Sequence, residues 1–168
     1  MQKNKRPHRQ KRDVLYFGLS GIPQYFVPQI RVQYNKSKLY LGKVTTAKEV
    51  ADFIRKTYGK GQIELQEAYV ILYLNAANEI IGYYKHTIGG ITQSILDPRI
   101  VFSVAVTSLS TSIIISHNHP SGKVTPSPED EQLTKQIQQA GMVLKIRLLD
   151  HVIVTKNDYY SFNDHNKL

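Results

Sequence analysis

Residues 116–122 read Ser-His-Asn-His-Pro-Ser-Gly, and Ser127-Pro-Glu-Asp130 follows a short loop rich in Pro, Ser and Gly. In extended backbone, residues two apart point to the same side, so His117 and His119 present both imidazoles to one point at the end of a strand. Asp130 falls in the first turn of the helix that Ser127 and Pro128 open, where the helix dipole favours a carboxylate. Two imidazoles and a carboxylate suit a tetrahedral Zn2+ with its fourth position open to water, the arrangement of catalytic zinc. Amide hydrolysis also needs a group that takes a proton from water and hands it to the leaving nitrogen. Glu67 is the first candidate, because a strand beside residues 113–115 would bring its leading end to the metal; Glu64 and Glu79 are the alternatives.

Each piece has a plainer reading. A lone His-x-His is often polar punctuation at a strand end. Ser127-x-x-Asp130 is also a capping box, in which the acid returns a hydrogen bond to the cap. Ser127 Oγ can accept from the helix backbone and send its own proton elsewhere, whereas an Asp130 bound to metal would be less free to close the box.

The elements that must position these residues are legible. Thr46 caps a helix with Val50, Phe53 and Ile54 on one face, and Gly59 is its expected end. Residues 69–74, YVILYL, form an apolar β-rich run joined through Asn75–Asn78 to a second strand over 79–84, a hairpin. Gly89-Gly90 breaks the chain. Asp97-Pro98 starts a helix buried through Ile100, Val101, Val104 and Ala105. Residues 112–116 read as a buried central strand that Pro120 and Gly122 terminate. The helix after Ser127 turns Leu133, Ile137 and Ala140 inward, with Gly141 as its expected terminator, and one or two strands fill 143–149 and 151–155. Strands interleaved with helices give an α/β class with a mixed sheet flanked by helices in a single domain. Asp150 and His151 are read as supporting or packing groups, His151 as a satisfied core histidine.

The 168 residues hold 22 Lys+Arg against 13 Asp+Glu and no cysteine. That excludes disulfide frameworks, thiol catalysis and thiolate metal sites, so any metal must be held by His, Asp and Glu. The uncharged stretch over residues 100–116 is rich in Ser and Thr and too short to cross a bilayer, so no membrane partner is expected. The first twelve residues carry cations without the apolar run of a signal peptide, which leads to a cytoplasmic expectation. Lys3, Lys5, Arg6, Arg9, Lys11 and Arg12 supply six of the formal +9 charge. Residues 1–29 are therefore expected to be a basic, disordered arm and linker, able to neutralise phosphates of nucleic acid without reading sequence. An Ile30–Tyr34 alternation suggests one strand, and the ordered domain is expected over 30–168.

Together, Glu67, His117-x-His119-Pro120, the seven-residue gap to Ser127 and Ser127-x-x-Asp130 match the JAMM motif of the JAB/MPN metalloproteases. His-Asn-His-Pro-Ser-Gly with Pro126-Ser127 and Asp130 resembles the bacterial RadC-like branch, as do residues 67–75, Asp97-Pro98-Arg99, 149–154 and 160–162. The resemblance implies a JAB/MPN, cytidine-deaminase-like fold with Zn2+ on His117, His119 and Asp130. It further implies Glu67 as general acid/base and Ser127 as support for the tetrahedral oxyanion. A zinc-dependent metallopeptidase or isopeptidase-like hydrolase acting on a peptide or protein is the implied function. The chain has little room for the substrate-gripping insertions of eukaryotic deubiquitinases, so ubiquitin specificity is not implied. The alternative is a DNA-associated accessory protein of a repair or mobile-element system, with the zinc site structural or nuclease-like. RadC-like proteins commonly carry a helix-hairpin-helix region, and residues 1–45 lack its periodicity, which leaves the basic arm as the nucleic-acid contact.

Overall fold

The computed structural model describes residues 42–88 and 96–168. The expected arm, its six cations, the Ile30–Tyr34 strand and the Gly89-Gly90 break lie outside the described residues.

Thr46 and Glu49 cap each other: Thr46 Oγ1 accepts from the Glu49 N–H at 3.2 Å, and the Glu49 carboxylate accepts from the Thr46 N–H at 3.2 Å. This starts helix α1 (Ala47–Lys56) where the sequence places it. The helix stops before Gly59, with Thr57 as its cap. Tyr58 supplies the reason: its buried hydroxyl shares its one proton between the Ala68 carbonyl (2.9 Å) and Asn118 Oδ1 (3.0 Å), drawing the chain down onto the sheet. A short 3-10 turn (Gln62–Glu64) then leads into strand β1 (Ala68–Leu74).

β1 and β2 (Ile80–Ile88) form the expected antiparallel hairpin. Asn75 builds its turn, with Oδ1 accepting from the N–H groups of Ala77 (2.9 Å) and Glu79 (3.0 Å). Helix α2 (Pro98–Thr107) starts at Asp97, whose carboxylate accepts from the Arg99 N–H. Its buried side is Val101, Phe102 and Ala105; Val104 packs at the margin and Ile100 faces outward, so the stripe is rotated from the sequence expectation. Strand β3 (Ser112–Asn118) runs two residues further than expected and carries His117 inside the sheet.

Helix α3 (Pro128–Leu144) continues past Gly141, the expected terminator. Gly141 is buried within it, and a Cβ there would overlap the Ile146 carbonyl. The true end is Lys145 in left-handed conformation (φ 59°), with the Ile146 N–H returning to the Gly141 carbonyl at 2.9 Å. Residues 143 and 144 are thus helix, and strand β4 (Arg147–Val154) forms one continuous element after it, followed by β5 (Tyr159–Ser161).

The described strands make a five-stranded mixed sheet in the order β2-β1-β3-β4-β5, with only the β3/β4 pair parallel. Alternate β1 residues split the core. Val70, Leu72 and Leu74 pack with Val50, Ala51 and Ile54 of α1 on one face. Tyr69, Ile71 and Tyr73 pack with Val101, Phe102 and Ala105 of α2 and Ile137 of α3 on the other. This single α/β domain confirms the mixed sheet flanked by helices, and it puts the end of β3 against the start of α3. Among the described residues, no helix is long and apolar enough to cross a membrane.

Candidate metal centre

His117 lies across from Tyr69 of β1 and Ile153 of β4. Its ring is fully buried, with the Tyr69 ring 4.9 Å away. His119 follows the strand, and its N–H still bonds to the Val154 carbonyl at 3.1 Å, so main-chain bonding to β4 extends past His117 to His119. The chain then turns, with Gly122 at φ 79° and its N–H on the His119 carbonyl at 3.0 Å. That positive φ is the conformation glycine adopts without cost.

α3 brings Asp130 to the same place. Ser127 Oγ accepts from the Asp130 N–H at 3.1 Å and donates to Asp130 Oδ2 at 2.9 Å, and the Ser127 N–H donates to the same Oδ2 at 2.8 Å. Oδ2 closes the capping box while Oδ1 faces His117 Nε2 at 3.1 Å. A carboxylate has two oxygens, so capping and ligation do not compete.

The two Nε2 atoms stand 3.0 Å apart, and His119 Nε2 is 3.7 Å from Asp130 Oδ2. Ligands held about 2.0–2.2 Å from a tetrahedral zinc stand about 3.3–3.6 Å from one another, and the Nε2–Nε2 separation and the 3.1 Å between His117 Nε2 and Asp130 Oδ1 fall a few tenths of an ångström below that range. Chemistry agrees with spacing. His119 Nδ1 lies 2.8 Å from the Lys123 carbonyl, which only accepts, so Nδ1 carries the hydrogen and the neutral ring keeps its lone pair on Nε2. His117 Nδ1 is likewise engaged, 2.8 Å from His151 Nε2. A lone pair on His119 Nε2, the His117 Nε2 beside it and an ionised oxygen suit a cation, and His117, His119 and Asp130 form a cluster able to hold a metal ion.

Electrostatics follow. Burial pushes the Asp130 carboxyl up, but the adjoining imidazoles of His117 and His119 and the Ser127 N–H outweigh it and hold the group well below the carboxylate range. Asp130 in turn holds the His119 pKa above its ordinary value. Burial first, then His117, hold His151 well below its ordinary value, so its ring is neutral.

Glu67 sits two residues before Tyr69, and continuing the β1/β3 register sets it across from His119 on the face that carries both histidines. It is half-buried. Burial raises its pKa, the two imidazoles pull it down and the Asp130 carboxylate pushes it up, for a net rise. The alternatives are elsewhere: Glu64 pairs with Lys156 at 3.1 Å, and Glu79 accepts from Asn75 at 2.7 Å in the hairpin turn, at the other end of β1. Asp150 accepts from Ser161 Oγ (2.7 Å) and the Asn163 N–H (3.0 Å), a packing role.

Sequence reasoning passed over Asn118. Its side chain points to the opposite face and saturates four bonds: Oδ1 accepts from the Ala68 N–H (2.8 Å) and Tyr58 hydroxyl (3.0 Å), and Nδ2 donates to the carbonyls of Ile63 (2.8 Å) and Gln66 (2.9 Å). These partners flank Glu67 on both sides, so Asn118 clamps the segment that carries it. The signal was present: between two histidines on a buried strand, an amide must face the other core and find every partner there.

The RadC-like JAB domain family model matches residues 44–168. The chain is 42% identical over 123 residues to UPF0758 protein CT0611 of Chlorobaculum tepidum, covering 73% of this chain and 54% of that protein. A UPF0758 protein of Flavobacterium johnsoniae is 37% identical over 134 residues, covering 80% of this chain and 57% of the relative. One from Enterococcus faecalis is 39% identical over 133 residues, with coverages of 79% and 56%. The chain thus spans a little over half the length of these relatives. With the sheet, the flanking helices and the His117–His119–Asp130 cluster in agreement with that match, the chain belongs to the RadC-like JAB domain family.

Proposed function

We propose that this domain is a zinc-dependent hydrolase of peptide or isopeptide bonds, with His117, His119 and Asp130 as the metal ligands and Glu67 and Ser127 as the groups that handle proton and oxyanion. The observation that carries the reading is the convergence of the three ligand atoms, with Glu67 near enough that the charges of His117, His119 and Asp130 all act on its carboxyl. Zinc bound there would supply Lewis acidity, lowering the pKa of water and polarising a carbonyl.

The chain's own residues supply the rest. Glu67, half-buried and with a raised pKa, is tuned to accept a proton from water and pass it to the departing nitrogen. Asp130 stays ionised and fixed by the cap. Ser127 donates its hydroxyl proton to Asp130 Oδ2, which also holds the Ser127 N–H. That second bond lets the hydroxyl turn toward a developing oxyanion without leaving the carboxylate bare. The reading keeps the cytoplasmic setting expected from the sequence.

The test is cleavage of a mixed peptide library, read by mass spectrometry, with zinc-loaded wild type and Glu67→Gln. New termini with wild type, and a loss of at least about 100-fold with the variant at equal zinc content, are expected. A zinc-loaded wild type that leaves the library and a panel of isopeptide-linked substrates intact overturns the reading.

A further inference from the structure

Thr134 and His151 belong to neither the ligand set nor the proton carriers, yet both are buried and joined to them. Thr134 Oγ1 donates to the Asp130 carbonyl at 2.6 Å. A hydroxyl has one proton and a carbonyl only accepts, so that proton is committed. Toward His151 Nδ1, 2.7 Å away, the hydroxyl therefore accepts. His151 carries its hydrogen on Nδ1 and its lone pair on Nε2, which at 2.8 Å accepts from His117 Nδ1–H. His117 is left with its lone pair on Nε2, 3.1 Å from Asp130 Oδ1. The path leaves from the backbone of Asp130 and returns to its carboxylate.

We infer that Thr134 and His151 form a positioning relay that fixes the tautomer of His117, presenting its Nε2 lone pair before any metal arrives. The inference rests on His117, His119 and Asp130 as a metal site and is independent of peptide hydrolysis. Packing keeps the rings from turning over: Phe162 stacks on His151 at 4.5 Å with 11° between planes, and Tyr69 lies against His117. Each proton direction follows from the acceptor-only carbonyl at the start, so the chain has one consistent arrangement with neutral rings. A histidine that only filled core space would carry no such direction.

Thr134→Val keeps the shape and removes the acceptor; Thr134→Ser restores the hydroxyl. In metal-free full-length protein at about pH 8, above the ordinary histidine pKa, nitrogen-edited long-range NMR spectra assign the ring protons. Nδ1–H on both His117 and His151 is expected in wild type and Thr134→Ser, with the His117 Nδ1–H population lost in Thr134→Val. Zinc affinity, by competition with a chromophoric chelator, is expected to fall about 10- to 100-fold in Thr134→Val and to recover in Thr134→Ser. A wild-type His117 protonated on Nε2 overturns the relay whether or not the variants fold, and so does a folded Thr134→Val with wild-type tautomers and affinity. Wild type without zinc affinity would sink the metal reading, while its ring-proton spectra would still decide the relay.

Discussion

His117 and His119 meet through their Nε2 atoms at 3.0 Å, each ring having its Nδ1 engaged on the far side, by His151 Nε2 and the Lys123 carbonyl. Two nitrogen lone pairs at that separation repel unless something positive lies between them. Metal-free, the pair must share a proton or move apart; with a divalent ion the same arrangement becomes favourable.

Elemental analysis should therefore give about one zinc per chain for protein prepared with zinc, and none for the His117→Ala/His119→Ala variant once circular dichroism shows it folded. Because the ion binds the folded state, its removal should lower the melting temperature, by an amount that grows with free zinc concentration.

That shift should depend on pH. His119 has its folded pKa raised above 6.5 by Asp130. In metal-free protein, the stability linked to that proton is present in full below the unfolded value and lost as pH rises through the folded one. Zinc needs the same lone pair, so its affinity falls as pH drops through that range. The gap between zinc-bound and metal-free melting temperatures should widen from about pH 6 to about pH 8, the window set by histidine titration. A gap that narrows over this window would contradict the assignment.

Asn118→Ala strands the Ile63 and Gln66 carbonyls and the Ala68 N–H around Glu67. A cost of about 2–4 kcal/mol is expected, measured as a shift in urea midpoint. Zinc stoichiometry should survive, because the ligands lie on the other face, while any hydrolysis should fall beyond the loss of folded protein as Glu67 loses its anchor. Equal stability of variant and wild type would show that water replaces the clamp.

Gly141→Ala tests a close approach. Helix propensity alone would favour alanine by about 1 kcal/mol. Overlap with the Ile146 carbonyl opposes it, and overpacking of this kind costs about 1–3 kcal/mol, so a net loss of stability is expected in thermal unfolding.

What could be read in the sequence was local. His117 and His119 share a side because alternation is a property of any strand, and Ser127 with Asp130 marks a helix start because capping is a property of four consecutive residues. Thr46, Asp97 and the hairpin at Asn75 were legible for the same reason. Gly59 and Gly141 were misread because a glycine after an apolar periodicity looks like a terminator. The first helix is ended by Tyr58 reaching the sheet, and the second passes through Gly141 because Ile146 comes back over it. Asn118, Thr134 and the contact side of His151 depend on what stands opposite in space, which no spacing encodes. Glu67 lay between these cases: its place before an apolar strand was visible, its register against His119 was not.

That division of near and far has a consequence for timing. The candidate ligands belong to one strand–loop–helix passage, so they can come together as soon as that passage forms, by closing a short loop. The Glu67 segment reaches them only when Ala68 docks on Asn118, across a sequence separation of 50 residues and with α2 threaded between. Non-local pairings of this kind close late in folding. A nascent chain would thus be able to capture its ion while still inert, and under the proposed function the capacity to cut other proteins would switch on last, when the central strands lock.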